Sequence, residues 1–426
     1  MNRLPNGISI NRLTFVALFI SLTTAQPFRS GRAEAVGMSS KRLEILTHQM
    51  ESYAANNQLS GGVTLVLRQG KIAYFDAFGF RDVESGDLME SDDIFRIASQ
   101  TKAIISVGIM ILQEQGKLLL KDPMGKYIPE FNKTTVAVPN NNDSYDVVEA
   151  KRKITIRDLL NHTAGIGYGN GPAKDQWEKA EIQGWYFAHR NEPILDTVKR
   201  IAKLPMDAHP GNRFVYGYNT DILGALIEVV SGQSLDVFIR KNILDPLQMD
   251  DTHFYLPSDK SSRLATVYSS SDSGIEKAPI PGLGIGQGQY ISGPRKSFSG
   301  GAGLLSTAED YATFLQMMLN GGTFNKKRII SRKSVELMTV DHLRSIQFPW
   351  RNGTGFGLGF SIAKDLGERG TLGTVGEFGW GGAYHSTYWV DPHEELVVVY
   401  FTQLIPAKGI DDHGKLRALI YQAIIN

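Results

Sequence analysis

The 426-residue chain contains no cysteine. That one absence removes a thiolate nucleophile, a lipid-bearing cysteine anchor, disulfide cross-links and thiolate metal ligation together. The nine histidines form no H-E-x-x-H pair or comparable cluster, so the sequence carries no metal-hydrolase signature and calls for no metal. No G-x-S-x-G occurs, which argues against the nucleophile turn of an α/β-hydrolase. Charge of one sign is not in surplus: 45 Lys and Arg face 44 Asp and Glu, without a basic block, and a nucleic-acid partner is therefore not expected. The glycine-rich "GYGNG" at 167–171 lacks the strand–turn–helix context of a dinucleotide loop and reads as loop; no cofactor is called for.

At the N-terminus, Arg3 and Arg12 precede the apolar run "LTFVALFISL" and the small residues Thr23-Thr24-Ala25. This pattern predicts a secretory signal peptide over residues 1–25, with Ala33-Glu34-Ala35 a more distant second cleavage point. The run falls short of the roughly 20 apolar residues that span a bilayer. A periplasmic or secreted protein, without a stable membrane span after cleavage, is the expectation; lack of disulfides is compatible with a bacterial periplasm.

What is present is ample core material, 42% hydrophobic against 21% charged residues. Leu43, Leu46, Met50 and Tyr53 recur at helical intervals, with Ser39 or Ser40 available as cap. β-rich runs then flank Gln69-Gly70, and a second such pair flanks Asp391-Pro392-His393-Glu394 before a C-terminal helical pattern. Between the two hairpins lie mostly helical patterns. The order strands, helices, strands predicts an α/β fold: one antiparallel sheet built from both ends of the chain, flanked by helices, with a mainly helical domain inserted. On this reading residues 36–98 and 295–426 form the sheet domain and 99–294 the helical one. The polar stretches 132–153 and 268–289 read as surface excursions.

One short stretch carries chemistry. In "FRIASQTKAIISVGIMIL", Ser99 and Lys102 are three residues apart at the head of an apolar helix, hence on one face. A serine hydroxyl becomes a useful nucleophile when a base takes its proton, and a lysine serves when desolvation lowers its pKa from about 10.4. Ile104, Ile105 and Ile109 are placed to exclude water from it. The alternative, a helix cap followed by a solvated lysine, stays open on this motif alone.

Further blocks narrow the choice. "FRIASQTKAIISVGIMILQEQGKLLLKDPMGKYIPEF", "ITIRDLLNHTAGIGYG", "PGNRFVYGYNTDILGALIEVVSG", "GGAGLLSTAEDYATFLQMMLNGG" and "GWGGAYHSTYWVDP", in that order, resemble the serine β-lactamase-related hydrolases: class C β-lactamases, D-alanyl-D-alanine carboxypeptidases and family VIII carboxylesterases. The resemblance runs from about residue 37 to the C-terminus and implies the β-lactamase/transpeptidase-like fold. It implies Tyr216 as second base or proton shuttle, with Tyr218 where the family has asparagine and Asn219 as a displaced polar contact. Trp380-Gly381-Gly382 stands in place of Lys-Thr-Gly, and the amides of Ser99 and Ala383 are the implied oxyanion hole. With Trp380 where a carboxylate-binding lysine is usual, neutral esters are favoured, as in the family VIII variant. Tyr384 and His385 replace the usual small residues; strand alternation would turn one of the two away, and His385 is a candidate substrate contact able to assist proton transfer. His162 reads as structural. The implied partner is a small-molecule ester, amide or β-lactam, with a D-alanyl peptidase, a β-lactamase and a non-turnover penicillin-recognising protein as alternatives.

Overall fold

The computed structural model describes residues 27–29, 31–140 and 144–426. The segment read as a signal peptide lies outside the described residues, among which no single helix is long and apolar enough to cross a membrane.

The helices that frame the site are α1 (Ser40–Ala55), α2 (Thr101–Glu114), α3 (Asn219–Ser231), α4 (Ala308–Leu319) and α5 (Asp412–Tyr421). The main sheet comprises β1 (Gly61–Arg68), β2 (Lys71–Asp82), β3 (Asp87–Leu88), β4 (Thr354–Phe356), β5 (Ser361–Ala363), β6 (Phe378–Gly381), β7 (Thr387–Asp391) and β8 (Leu396–Phe401). Its eight antiparallel strands run β4-β5-β6-β7-β8-β1-β2-β3, so the C-terminal strand β8 lies beside β1, with Val63 opposite Phe401. The ends of the chain thus share one sheet, as the two hairpin patterns predict. The β1–β2 turn places Gln69 and Gly70 both at left-handed φ (52° and 69°), which matches the strand twist in a two-residue hairpin.

Side-chain alternation divides the sheet into two faces. Val397, Val399 and Phe401, with Val63, Leu65 and Leu67, join the core that continues into α2, α3 and α4. Leu396, Val398 and Tyr400 face the other way, against α1 and α5. The α1 residues buried there are Leu43, Leu46, Met50 and Tyr53, and the cap is Ser39, whose hydroxyl accepts the Arg42 N–H at 3.3 Å. Helix α2 packs on α3 within the core that the inner face of the sheet also joins: every residue from Thr101 to Leu112 is buried, which is why its sequence is apolar nearly all round.

Both surface excursions carry regular structure. The stretch 132–153 contains a hairpin, Thr135–Pro139 paired with Tyr145–Glu149, and 268–289 begins with another, Tyr268–Ser271 paired with Gly274–Lys277. In the first, the β-branched Val136, Val138, Val147 and Val148 outweigh the turn-forming residues around them.

Asp310, in the first turn of α4, accepts hydrogen bonds from the Asp251 amide (2.9 Å) and the Thr252 hydroxyl (2.8 Å). Burial, reinforced by the charges of Asp251 and Asp250 against the Thr252 hydrogen bond, pushes its carboxyl up to about 7. The folded protein therefore keeps a proton that the unfolded chain releases near pH 4, so this group's contribution to stability falls as pH rises from about 4 to about 7 and is level above that. Thermal unfolding of Asp310→Asn, which keeps the acceptor oxygen but does not titrate, should show a shallower fall in Tm between pH 5 and pH 8 than wild type; equal slopes would contradict this assignment.

Candidate active site

Ser99 sits in a three-residue helical turn, Ala98–Gln100, that leads directly into α2. The turn is held on three sides. The Ile97 N–H donates to the Leu304 carbonyl at 3.1 Å, the Leu304 N–H to the Thr101 hydroxyl at 3.0 Å, and the Tyr311 hydroxyl to the Gln100 carbonyl at 2.9 Å. Ala98, immediately before the serine, is in the left-handed region at φ 43°, a conformation that costs a non-glycine residue about 1–3 kcal/mol and persists only when its surroundings enforce it. Tyr384 packs behind Ala98, together with Val267, Ala278 and Ala302.

Lys102 is 1% exposed. Its Nζ donates to Ser99 Oγ (3.2 Å), Tyr168 Oη (3.3 Å) and the Gly301 carbonyl (2.6 Å), all uncharged oxygens. The Gly301 carbonyl is itself positioned: the Gly301 N–H donates to Asp221 Oδ1 at 3.0 Å, and the Ser299 hydroxyl donates to the same oxygen at 2.6 Å. Burial pushes the Asp221 carboxyl up, opposed by the Ser299 hydrogen bond and the nearby Lys102 charge.

Tyr216 reaches the same place from the loop before α3. Lys102 Nζ lies 4.7 Å from its ring centroid, and its hydroxyl accepts the Trp380 indole N–H at 3.0 Å. Tyr216 is thus beside the Ser99–Lys102 pair but hydrogen-bonded to Trp380; the hydroxyl that Lys102 meets is that of Tyr168, for which the sequence predicts only a loop. The loops bearing the two tyrosines touch backbone to backbone. A Cβ on Gly217 would stand 2.3 Å from the Gly167 carbonyl carbon, so glycine is needed for both rings to meet at 5.8 Å, edge to face. Burial, then the proximity of Tyr216 and Asp221, holds the Tyr168 phenol well above its ordinary range.

Strand β6 closes the site. A Cβ on Gly382 would lie 2.7 Å from the Ile97 carbonyl oxygen, and its absence lets the strand end approach the serine turn. Among the described residues neither the Ser99 nor the Ala383 amide donates to a protein acceptor. Both residues line a cavity of about 480 Å³, with Tyr168, Tyr216, Trp350 and Trp380.

The remaining expected residues divide. Gly381, Gly382 and His385 line the cavity. Asn219 does not: it is fully buried as the first residue of α3, its amide donating to His162 Nδ1 (2.9 Å) and to the Ile166 and Val215 carbonyls. His162 lies under Tyr216, with ring centroids 4.7 Å apart, and burial followed by the Lys102 charge holds its imidazole well below the usual range. Tyr218 is core, its hydroxyl donating to the Gly184 carbonyl and its ring backing Tyr168. The expectation for 384 and 385 assumed a continuing strand, whereas β6 stops at Gly381 and 382–386 is a turn. In that turn Tyr384 is buried, and His385, at φ 66°, donates to Asp412 Oδ1 at 2.7 Å. Although burial opposes it, this hydrogen bond and the His385 charge hold the Asp412 carboxyl below its ordinary range.

His385, Asp412 and His413 bring potential ligand atoms within 4.8 Å of one another. The two imidazoles, however, are stacked 4.1 Å apart at 12°, and a metal must lie near the plane of every ring it binds. The pair cannot share an ion as it stands. Tyr168, Trp185 and Trp350 are among the cavity residues that the sequence does not announce; no spacing marks them, and only the glycines flanking Tyr168 hint at close packing.

Gly382→Val should separate the strand end from the serine turn while leaving both cores intact. Its expected effect is a loss of roughly 10²-fold or more in kcat/KM, comparable to losing an oxyanion donor, with Tm within a few degrees of wild type; undiminished activity would contradict the close approach.

Comparison with known proteins identifies the family and the fold. The β-lactamase family profile matches residues 45–421. Protein Rv1367c of Mycobacterium tuberculosis is 33% identical over 370 residues, covering 83% of this chain and 88% of that protein. Esterase EstB of Burkholderia gladioli is 28% identical over 365 residues, covering 81% and 86%. Among solved structures, EstCE1, a hydrolase with promiscuous acyltransferase activity, superposes with a TM-score of 0.76 at 25% identity, covering 89% of this chain and 99% of that one. With its sheet, its serine turn and this extent of matching, the chain belongs to the β-lactamase family of serine hydrolases.

Proposed function

We propose that the protein hydrolyses carboxylic esters through an acyl-enzyme on Ser99. The observation that carries this reading is the 3.2 Å approach of the enclosed Lys102 Nζ to Ser99 Oγ, beside two backbone amides with no protein acceptor among the described residues.

Lys102 Nζ takes the Ser99 proton as Oγ attacks the ester carbonyl. The carbonyl oxygen becomes an oxyanion, held by the Ser99 and Ala383 amides. Collapse breaks the bond to the alcohol oxygen, which takes a proton relayed from Lys102 by the hydroxyls of Tyr168 and Tyr216 and leaves as alcohol. Water then attacks the acyl-serine in the reverse sense, releasing the acid and restoring the serine. Tyr216 is the shuttle nearest the leaving group on this reading, and its hydrogen bond from Trp380 fixes the direction of its lone pairs.

The walls favour esters over charged amides at the reacting centre. Trp380 presents an aromatic face and one N–H that is already committed to Tyr216, and Trp350 stands beside it, ring centroids 5.8 Å apart. No cation from position 380 meets a carboxylate adjacent to the scissile bond. Esterase similarity in EstB supports the same choice, with D-alanyl peptidase or β-lactamase activity as the alternative within the family.

A p-nitrophenyl ester series and nitrocefin, assayed with wild type and Ser99→Ala, test this directly. Ester turnover that exceeds nitrocefin turnover and vanishes in Ser99→Ala is expected. Full esterase activity in Ser99→Ala would refute the assignment, and a stable β-lactam adduct without ester turnover, read by intact mass, would favour a penicillin-recognising protein.

A further inference from the structure

A second cleft of about 240 Å³ adjoins the catalytic cavity and shares Trp350, Trp380, Gly381 and Thr387 with it. Strand register puts Ser361, Gly379 and Trp389 side by side across β5, β6 and β7, with Gly381 opposite Thr387. Because β6 contributes only glycine at 379 and 381, no β6 side chain fills the floor, and Gly381 forms a saddle between the two spaces.

The walls of this cleft are cationic. Arg351, Arg369 and Arg417 line it, and Glu377 is the one acid among its lining residues. Arg417 lies 4.2 Å over the Trp389 ring and donates to Glu377 Oε2 (2.6 Å) and Oε1 (3.0 Å). The Arg369 side chain is 6% exposed; both of its terminal nitrogens lie 3.4 Å from the same Glu377 Oε1. One carboxylate is therefore divided between two guanidinium groups. The nearby Asp391 is saturated from behind the cleft by Tyr421, Thr374 and the turn amides of His393 and Glu394.

Three donors are left over. The buried Arg369 Nε–H and the buried Trp389 indole N–H, the latter on a residue 2% exposed, have no acceptor among the described residues. Arg351 stands exposed at the mouth with no ion pair or hydrogen bond among the described residues. Partial burial, and then the charges of Arg369 and Arg417, lower its guanidinium below the ordinary arginine range. Buried donors without acceptors are rare and costly; two of them, on residues that line one cationic recess beside a catalytic cavity with Arg351 at its mouth, call for an anion.

We propose that this cleft is an anion subsite that binds a carboxylate carried at the far end of the ester, beyond the Trp380 indole, while the scissile carbonyl lies at Ser99. The inference deepens the esterase reading and rests on it. Trp380 keeps the reacting carbonyl in apolar surroundings, and the charge is recognised on the other side of the Gly381 saddle by Arg351, with Arg369 and Trp389 in the cleft wall. The substrate class is thus a half-ester or an ester of a hydroxy- or aryl-carboxylic acid.

The test compares matched esters in wild type, Arg351→Glu and Trp389→Phe. p-Nitrophenyl valerate and mono-p-nitrophenyl glutarate place the charge on the acyl side; phenyl acetate and 4-acetoxybenzoate place it on the leaving group. Wild type should prefer the charged member of at least one pair through a lower KM. Arg351→Glu should lose roughly tenfold or more in kcat/KM for that member, as expected for reversing a charge that meets the substrate, while the neutral esters stay within about twofold; Trp389→Phe should fall between. Equal kcat/KM within both pairs, unmoved by Arg351→Glu, would overturn the subsite and leave the esterase reading intact. If all four esters resist hydrolysis, the esterase reading fails instead, and tryptophan fluorescence of Ser99→Ala titrated with glutarate decides the subsite: saturable quenching weakened by Arg351→Glu supports it, and no change overturns it.

Discussion

A single buried amine gathers this site. Lys102 Nζ binds oxygens from three separate parts of the chain: the serine turn, the loop carrying Tyr168, and the Gly301 carbonyl that Asp221 of α3 positions through the Gly301 amide. None of these oxygens carries a formal charge, so the amine is enclosed without being locked into an ion pair. An amine in such a place is held by geometry and can exchange a proton with the hydroxyl in front of it. Burying it is expensive, and the cost is offset by the enclosed apolar length of α2 and by the fixed acceptors around it.

The rest of the architecture serves that placement. Sheet and central helices share one continuous core, which sets α2, and with it Ser99, against the end of β6. Glycine at 382 allows the strand to come within contact of the serine turn, and glycine at 217 allows the two tyrosine loops to meet. Aromatic rings complete the enclosure. Tyr216, Trp350 and Trp380 are mutual neighbours, with centroid separations between 5.3 and 5.8 Å, and they surround the reacting centre with polarisable, uncharged surface. Charge appears beyond them, in the arginine-lined cleft on the α5 side of the sheet.

Local signals in the sequence were readable, and non-local ones were not. Ser99 and Lys102 stand out because i,i+3 spacing alone puts them on one face; the apolar run after them announces burial. The hairpins at Gln69-Gly70 and after Asp391 disclose the shared sheet by period-two alternation and turn chemistry. Tyr168 escapes because its role depends on two glycine-mediated backbone contacts far apart in the chain. Asn219 misleads for the opposite reason: adjacent to Tyr216-Gly217-Tyr218, it is carried under the backbone by the start of α3. Strand alternation says nothing of His385, because β6 ends at Gly381. The arginines of the second cleft come from three unconnected segments, and only the fold brings them together.

The central claim is that Lys102 activates Ser99. Mass spectrometry of peptides after timed labelling with a fluorophosphonate tests it most directly. The account predicts a single adduct on Ser99 in wild type, forming roughly 10²-fold or more slower in Lys102→Met, which keeps the length and volume of the side chain without the amine. An adduct on another residue, or labelling of Ser99 at an unchanged rate in Lys102→Met, would contradict it.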